Sequence, residues 1–491
     1  MSKKSKKEGW VVPGVQKLAM VLGKGAVASC NTWVSSFMSV YILMVGIGPT
    51  VAAAVLLVLK AWDAINDVLF GYIVDKYRFN KGKNWFTRWV FKGRYMPWFR
   101  LLFFLVPIGT MILFSINTNL PMWMRVAQYF IGYFIFDLGT TGTAAYDLLP
   151  LTLTHNYDER NFIISWNGLG QGFGALPVAF LGTVFVAGSL GYTGAAAVFC
   201  LLGVVLAMIP MLLVKEQDED AESAAEQQEK YTVREMFRVI RQLPELIWLM
   251  IGVFCWGIFY TSGYGLFVAY YIFNNAYLSI IMTLCATIPS IILIPFLPSL
   301  FQRVDKIVVA RIACLDYVVC GVIINFLGSS FFVNHLPVLY VLIAVQTTGY
   351  VMVMFAGSQM TVDLVEIAKY RTGTDAGGII SAAYNFVNKL VSSMVSSVTL
   401  LILGWYGFVS VEADSFEELA ALNAQGIGLQ TERALTGLWN VTYLFPVFGF
   451  ALAGIAFCFV HVSRKKVRII MSVNNGEISR EEGEQKMAAL S

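Results

Sequence analysis

The sequence has little charge for its length: Asp, Glu, Lys and Arg make up 13% of 491 residues, against 57% hydrophobic residues. That ratio excludes a soluble protein of ordinary composition. Histidine is scarcer still, with only His155, His335 and His461, widely dispersed. None has a partner at ligand spacing, so neither a zinc centre nor a catalytic triad is expected, and the chain does not read as an enzyme. The seven cysteines (Cys30, Cys200, Cys255, Cys285, Cys314, Cys320, Cys458) lie in apolar stretches at no metal-ligand spacing and read as free and packed. The basic first ten residues lack a following short apolar core with a cleavage site, so no removable leader is expected. Gly168, Gly170, Gly172 and Gly174 in GLGQGFG follow no soluble strand and miss the dinucleotide spacing. They read as close helix packing.

Long apolar runs fill the space that these absences leave. Twelve fall at about 15–46, 50–76, 97–116, 121–149, 160–187, 191–214, 244–273, 276–301, 306–329, 336–366, 376–406 and 436–462. Each is long enough to cross a bilayer. An even count puts both termini on one side. Lys3, Lys4, Lys6 and Lys7, then Lys76, Arg78, Lys81, Lys83, Arg88, Lys92 and Arg94, and finally Arg464, Lys465, Lys466 and Arg468 mark that side as cytoplasmic. The loop after span eleven is acidic instead, with Glu412, Asp414, Glu417 and Glu418. The net charge of +4 is therefore a topological bias and speaks against a nucleic-acid partner. A charged break at 215–230 divides six spans from six, and 231–243 reads as an amphipathic helix on the cytoplasmic membrane face. The expected organisation is a six-helix half at 1–214, a linker at 215–243, a second six-helix half at 244–462 and a tail at 463–491. This layout resembles the major facilitator fold, in which substrate sits near the midplane between two halves. Gly71-Tyr72-Ile73-Val74-Asp75-Lys76 resembles the start of that fold's loop motif, and Asp305-Lys306 offers a similar acid and base in the second half.

Within span two, Lys60, Asp63, Asn66 and Asp67 share one helical face, at intervals of three and four residues. An ionised group at bilayer depth costs roughly 2.5 to 3.5 kcal/mol, so such a stripe faces a partner, a cavity or an ion path. Its bland reading is a buried charge cluster that ties helices together.

KAWDAINDVLFGYIVDKYR is similar to the signature of the glycoside-pentoside-hexuronide:cation symporters, the melibiose permease-like carriers. The resemblance continues at Gly23-Lys24, at Leu148-Leu149-Pro150 with Asp158-Glu159-Arg160, at Asp363, Glu366, Tyr370 and Arg371, and at Tyr384, Asn388 and Lys389. It implies that Asp63, Asn66 and Asp67 ligate the coupling cation and that Lys389, with Lys60, balances their charge. Two carboxylates and an amide suit sodium, whereas a proton needs one carboxylate tuned by burial; the residues do not choose between them. No resident cofactor is expected. Asp75, Lys76, Asp147, Arg160, Asp363, Glu366 and Arg371 are the expected gate residues. Lys24, Trp62, Asp137, Asn167, Tyr384, Asn385 and Asn388 are the candidate substrate contacts.

The pattern also departs from the family. Gly25 stands where an acid follows Gly-Lys, and the span-four acid falls on Gly142 by one alignment and on Asp137 by another. Asp137 is expected either to touch substrate or cation or to pair with Lys24, and Asp147 to serve as a gate or helix cap. Arg311 and Asp316 read as structural. The expected protein is a twelve-helix secondary transporter, monomeric in the bacterial cytoplasmic membrane. It would move a sugar, glycoside or uronide with sodium or a proton. A lysolipid cargo and a non-transporting sensor are the rival expectations.

Overall fold

The computed structural model describes residues 10–216, 241–373 and 377–489, except 78, 80–82, 155 and 261–262. The amphipathic segment expected at 231–243 thus falls, up to residue 240, outside the described residues. The described backbone is helical, with one isolated antiparallel bridge between Val45 and Glu412. Helices prevail because a backbone in lipid must satisfy its own hydrogen bonds within each segment.

In chain order the helices are α1 (Gly14–Met44), α2 (Pro49–Lys76), α3 (Trp85–Val90), α4 (Met96–Leu102), α5 (Leu105–Leu113), α6 (Met122–Leu153), α7 (Tyr157–Ala187) and α8 (Gly191–Leu213). Then follow α9 (Pro244–Phe259), α10 (Gly265–Tyr271), α11 (Leu278–Leu293), α12 (Leu297–Arg303), α13 (Lys306–Asn334), α14 (Leu336–Thr372) and α15 (Gly377–Trp405). The last are α16 (Phe416–Ala424), α17 (Glu432–Trp439), α18 (Phe445–Cys458), α19 (Arg464–Asn474) and α20 (Arg480–Ala488). Among the described residues nine helical stretches are long and apolar enough to cross a membrane. Of the other three expected spans, those at 50–76 and 121–149 correspond to α2 and α6, and the one at 244–273 is divided between α9 and α10.

Two compact units result, Met1–Gln228 with Val409–Leu429, and Glu229–Phe408 with Gln430–Ser491. The first unit packs α1 on α7 and α8, α2 on α6, and α5 on α6; its core includes Met20, Phe99, Phe103, Tyr146 and Leu149. In the second unit α9 packs on α15 and α18, α11 on α14, and α13 on α14, around Leu249, Ala313, Met360, Leu364 and Phe450. One pairing scheme, span one with five and six and spans two and three with four, therefore occurs twice. This is the internal repeat of a two-half carrier. Arginines repeat too. Arg100 on α4 gives its guanidinium to the Met211 carbonyl at the end of α8 (2.9 and 3.2 Å). Arg311 on α13 gives its own to the carbonyls of Phe457 (3.1 Å), Cys458 (3.4 Å) and Val460 (3.0 Å) at the end of α18. Both satisfy carbonyls that a helix end leaves without partners.

The structure departs from the expected layout in three places. Span seven breaks after Phe259 and resumes at Gly265, across Gly263 at φ +92°, a conformation that favours glycine. The acidic loop after α15 packs into the first unit, whereas the expected second half ran unbroken to residue 462. The tail folds as α19 and α20, with Val467 and Ile470 buried in the second unit's core.

Candidate functional site

The α2 stripe meets α6. Lys60 Nζ lies 3.7 Å from Asp63 Oδ2, one turn along α2, and 5.3 Å from the centroid of the Tyr133 ring on α6. One turn beyond Tyr133, Asp137 Oδ2 accepts from Asn66 Nδ2 at 2.6 Å. Asn66 and Asp137 are 2% and 1% exposed, so this bond lies in the packed seam between the helices. Asn66 thus ties α2 to α6 through its amide, one turn along the helix from Asp63. Trp62 packs on Phe134 beside them, ring centroids 5.1 Å apart. The side chains of Asp67 and Asp75 lie outside the described residues.

Asp137 does not pair with Lys24: the Lys24 ammonium holds Asp147 on α6, while the amide of Asn66 takes Asp137. The register of α6 explains the correction. Asp137, Tyr133 and Phe134 meet α2, whereas a side chain at Gly142 would run into Leu102 and the Trp98 carbonyl. The acid beside the stripe is therefore Asp137. Tyr133 was not singled out from the sequence, although its spacing of four from Asp137 puts the two on one face of α6.

Other expected residues lie at helix ends. Arg160 is half-buried in the first turn of α7. Beside it Glu159 is buried and accepts from the N–H groups of Val11 and Val12 (3.0 Å each), the Thr154 hydroxyl (2.8 Å) and Lys17 (2.6 Å). Burial alone would raise its pKa, but these donors outweigh burial and hold the carboxyl below its ordinary value. In the second unit Asp363 pairs with Lys306 (2.7 Å), and Arg371 grips Glu245 through both terminal nitrogens (2.9 and 2.6 Å). Glu366 accepts from the Asn474 amide (2.8 Å), which docks α19 against α14. Lys76 is exposed at the end of α2.

The remaining substrate candidates are spread over two units. Asn167 is buried on α7, and its Oδ1 finds no hydrogen-bond partner among the described residues. Tyr384, Asn385, Asn388 and Lys389 lie on α15 of the second unit, where Asn388 donates back to the Tyr384 carbonyl (3.1 Å) and Asn385 and Lys389 are exposed. Trp256 and Tyr260 belong to an aromatic cluster with Tyr317, Tyr350 and Phe450; the Tyr260 and Tyr350 rings stack at 4.2 Å and 6°. Of GLGQGFG, Gly170 and Gly174 face the backbone of α1 at Val21 and Gly25, while Gly168 and Gly172 face open space. The packing reading thus holds for two of the four. No group of three or more His, Cys, Asp or Glu that could hold a metal ion occurs among the described residues.

Paired six-span bundles with an acid-amide-base seam inside one of them define a secondary transporter of the major facilitator type. Residues 20–464 match the family described as MFS/sugar transport protein, and the chain belongs to that family. It is 26% identical over 477 residues to the uncharacterized symporter YnaJ of Bacillus subtilis (strain 168), covering 92% of this chain and 94% of that protein. To a glucuronide carrier protein homolog of Escherichia coli (strain K12) it is 23% identical over 449 residues, 89% of this chain and 90% of the other. The fold matches a solved structure of the nucleoside transporter NupG with TM-score 0.59 at 14% identity, over 91% of this chain and 100% of that one.

Proposed function

We propose that this protein is a cation-coupled symporter that carries a sugar, glycoside or uronide across the cytoplasmic membrane by alternating access, with both termini cytoplasmic. The observation that carries the reading is the α2–α6 seam, where Lys60, Asp63, Asn66 and Asp137 gather inside membrane helices. Charge there is costly unless a mobile ion or substrate uses it. Asp63, Asn66 and Asp67 are assigned to the coupling ion, sodium or a proton, with Lys60 and Lys389 balancing charge. Asp137, Trp62, Lys24, Asn167, Tyr384, Asn385 and Asn388 are assigned to solute. The similarity to a glucuronide carrier homolog supports a uronide or related glycoside as cargo.

Coupling follows from occupancy. An empty carboxylate pair disfavours closing the cavity around it, a bound cation removes that penalty, and only the loaded carrier then passes readily between access states. Asp363–Lys306 and Arg371–Glu245 are assigned to gating, because they tie α14 to the first turns of α13 and α9 within the second unit. Uptake by proteoliposomes under an imposed sodium or proton gradient, over a panel of uronides, pentosides and lysolipids, tests the reading. Gradient-driven accumulation of a glycoside or uronide is expected. Accumulation of lysolipid alone would change the cargo, and binding without accumulation of any solute would sink the symporter claim.

A further inference from the structure

Residues Val409–Leu429 leave α15 and return to α17, both in the second unit, yet they pack into the first. The attachment is built from backbone. Val411 N–H donates to the Leu43 carbonyl (2.9 Å), Ala413 N–H to that of Met44 (2.8 Å), and Gly46 N–H to that of Val411 (3.1 Å), around the Val45–Glu412 bridge. Side chains lock it. Arg125 on α6 binds the Glu412 carboxylate together with the Val45 carbonyl (2.9 Å). The Thr193 hydroxyl on α8 lies 2.8 Å from Asp414, whose own carbonyl accepts Tyr192 N–H at 2.8 Å. Gly46 (φ +76°) and Gly191 (φ +67°) sit where a Cβ would strike Glu412 and Asp414. Ser415 caps α16, and Val411, Ala413, Phe416 and Leu419 are buried.

At the crossings Phe408 packs on Phe267 and Tyr271 and Gln430 reaches the Tyr271 hydroxyl, so the chain is held on the second unit's side too, and at the second crossing Gly426 lies between the two attachments. Gly407 (φ +80°) precedes the segment and Gly426 (φ +81°) stands near its end, each with open space around its Cβ position. Freeing the segment would expose four apolar side chains and leave Arg125 and Asp414 without these partners. Flexing at the glycines disturbs none of those contacts.

We propose that residues 409–429 are a clasp that stays fastened to the first unit throughout the transport cycle, with movement confined to the glycine-flanked crossings. The clasp thereby anchors the chain between α15 and α17 to α1, α6 and α8 of the first unit. The inference rests on the transport reading above. A Val45→Cys, Glu412→Cys pair in a Cys458→Ser background tests it, since bridged antiparallel positions suit a disulfide. The disulfide is expected to form fully and to leave glucuronide uptake unchanged within about twofold, with or without reductant. A disulfide that stops uptake until reduced would overturn the proposal, as would failure of the disulfide to form. Hydrogen exchange supplies a readout independent of uptake: the amides of Val411 and Ala413 should stay equally protected with and without sodium chloride and glucuronide. If no sugar is carried, cross-link yield and exchange still report on the clasp, so its failure and that of the transport reading are distinguishable.

Discussion

The two units share one packing scheme and differ in where they keep their charge. In the first, Lys60, Asp63, Asn66 and Asp137 meet in the α2–α6 seam, and Lys24 binds Asp147 between α1 and α6. In the second, Lys306, Glu245 and Arg371 stand in terminal turns of α13, α9 and α14, Lys306 binding Asp363 on α14 and Arg371 binding Glu245, while Trp256, Tyr260, Tyr317, Tyr350 and Phe450 form an aromatic cluster. Asp316, held by Thr348 (3.4 Å), and Lys389 remain inside its spans. Exposure does not separate the pairs, since Lys306 and Asp363 are 19% and 15% exposed against 25% and 31% for Lys60 and Asp63. What separates them is the company they keep: Asp363 and Glu245 each have a matched cation within hydrogen-bond distance, whereas Asp63 stands 3.7 Å from Lys60, a looser pair with room for a further ion. On this difference rests the proposal that coupling belongs to the first unit and gating to the second.

The largest expected effect concerns how each unit brings helices together. Gly170 and Gly174 touch the α1 backbone, as Gly349 and Gly449 in the second unit touch the Ala313 and Cys255 carbonyls, whereas Gly257 on α9 meets the side chain of Val391 on α15. Gly170→Val should therefore destabilise the carrier by about 3 kcal/mol or prevent its folding, while Gly257→Ala should be milder and Gly172→Ala neutral. Thermal unfolding in detergent ranks the three. An equal loss at Gly172 would break the distinction.

Next comes the buried seam. Asn66→Ala leaves the Asp137 carboxylate buried without its amide and should cost about 1–3 kcal/mol. Lys306→Gln keeps a hydrogen-bond donor beside Asp363, so it should destabilise less and act chiefly on turnover. Denaturation midpoints and uptake rates separate the two variants.

The smallest effect is a pH dependence. Burial raises the Asp414 carboxyl to about 6, against hydrogen bonds from Thr193 that lower it and with Glu418 raising it further. Its folded form holds the proton more tightly than the unfolded chain, so its attachment weakens as pH rises from about 4 through 6. Glu159 runs the other way. Held low by Lys17 and the donors around it, it contributes above about pH 4.3 and loses that contribution as pH falls through its depressed value. The protection factor of the Ala413 amide, with the intrinsic pH dependence of exchange divided out, should be higher at pH 5 than at pH 7, and Asp414→Asn should abolish that difference.

Much of this fold was legible in the sequence, because a run of about 20 apolar residues states its own length and end points. The polar stripe was legible for a similar reason: Lys60, Asp63 and Asn66 share a face by periodicity alone. What periodicity does not carry is which helix faces which. Asp137 and Asp147 are ten residues apart on α6, and only the packing of α2 and α1 against it decides that Asn66 meets the former and Lys24 the latter. The sequence shows the loop after α15 only as acidic, whereas the structure engages Glu412 and Asp414 with Arg125 and Thr193, distant in sequence. The break in span seven left a local sign in Gly263 and Gly265, which the strong apolar run around them masked.

The assignment of coupling to the first unit is tested most directly by cation dependence in two matched variants. Glucuronide uptake into proteoliposomes is measured with and without the driving cation for Asp63→Asn and for Asp363→Asn. The account predicts that Asp63→Asn loses cation stimulation, while Asp363→Asn transports more slowly but remains as cation-dependent as the unmodified carrier. An Asp63→Asn carrier that stays fully cation-dependent would contradict it.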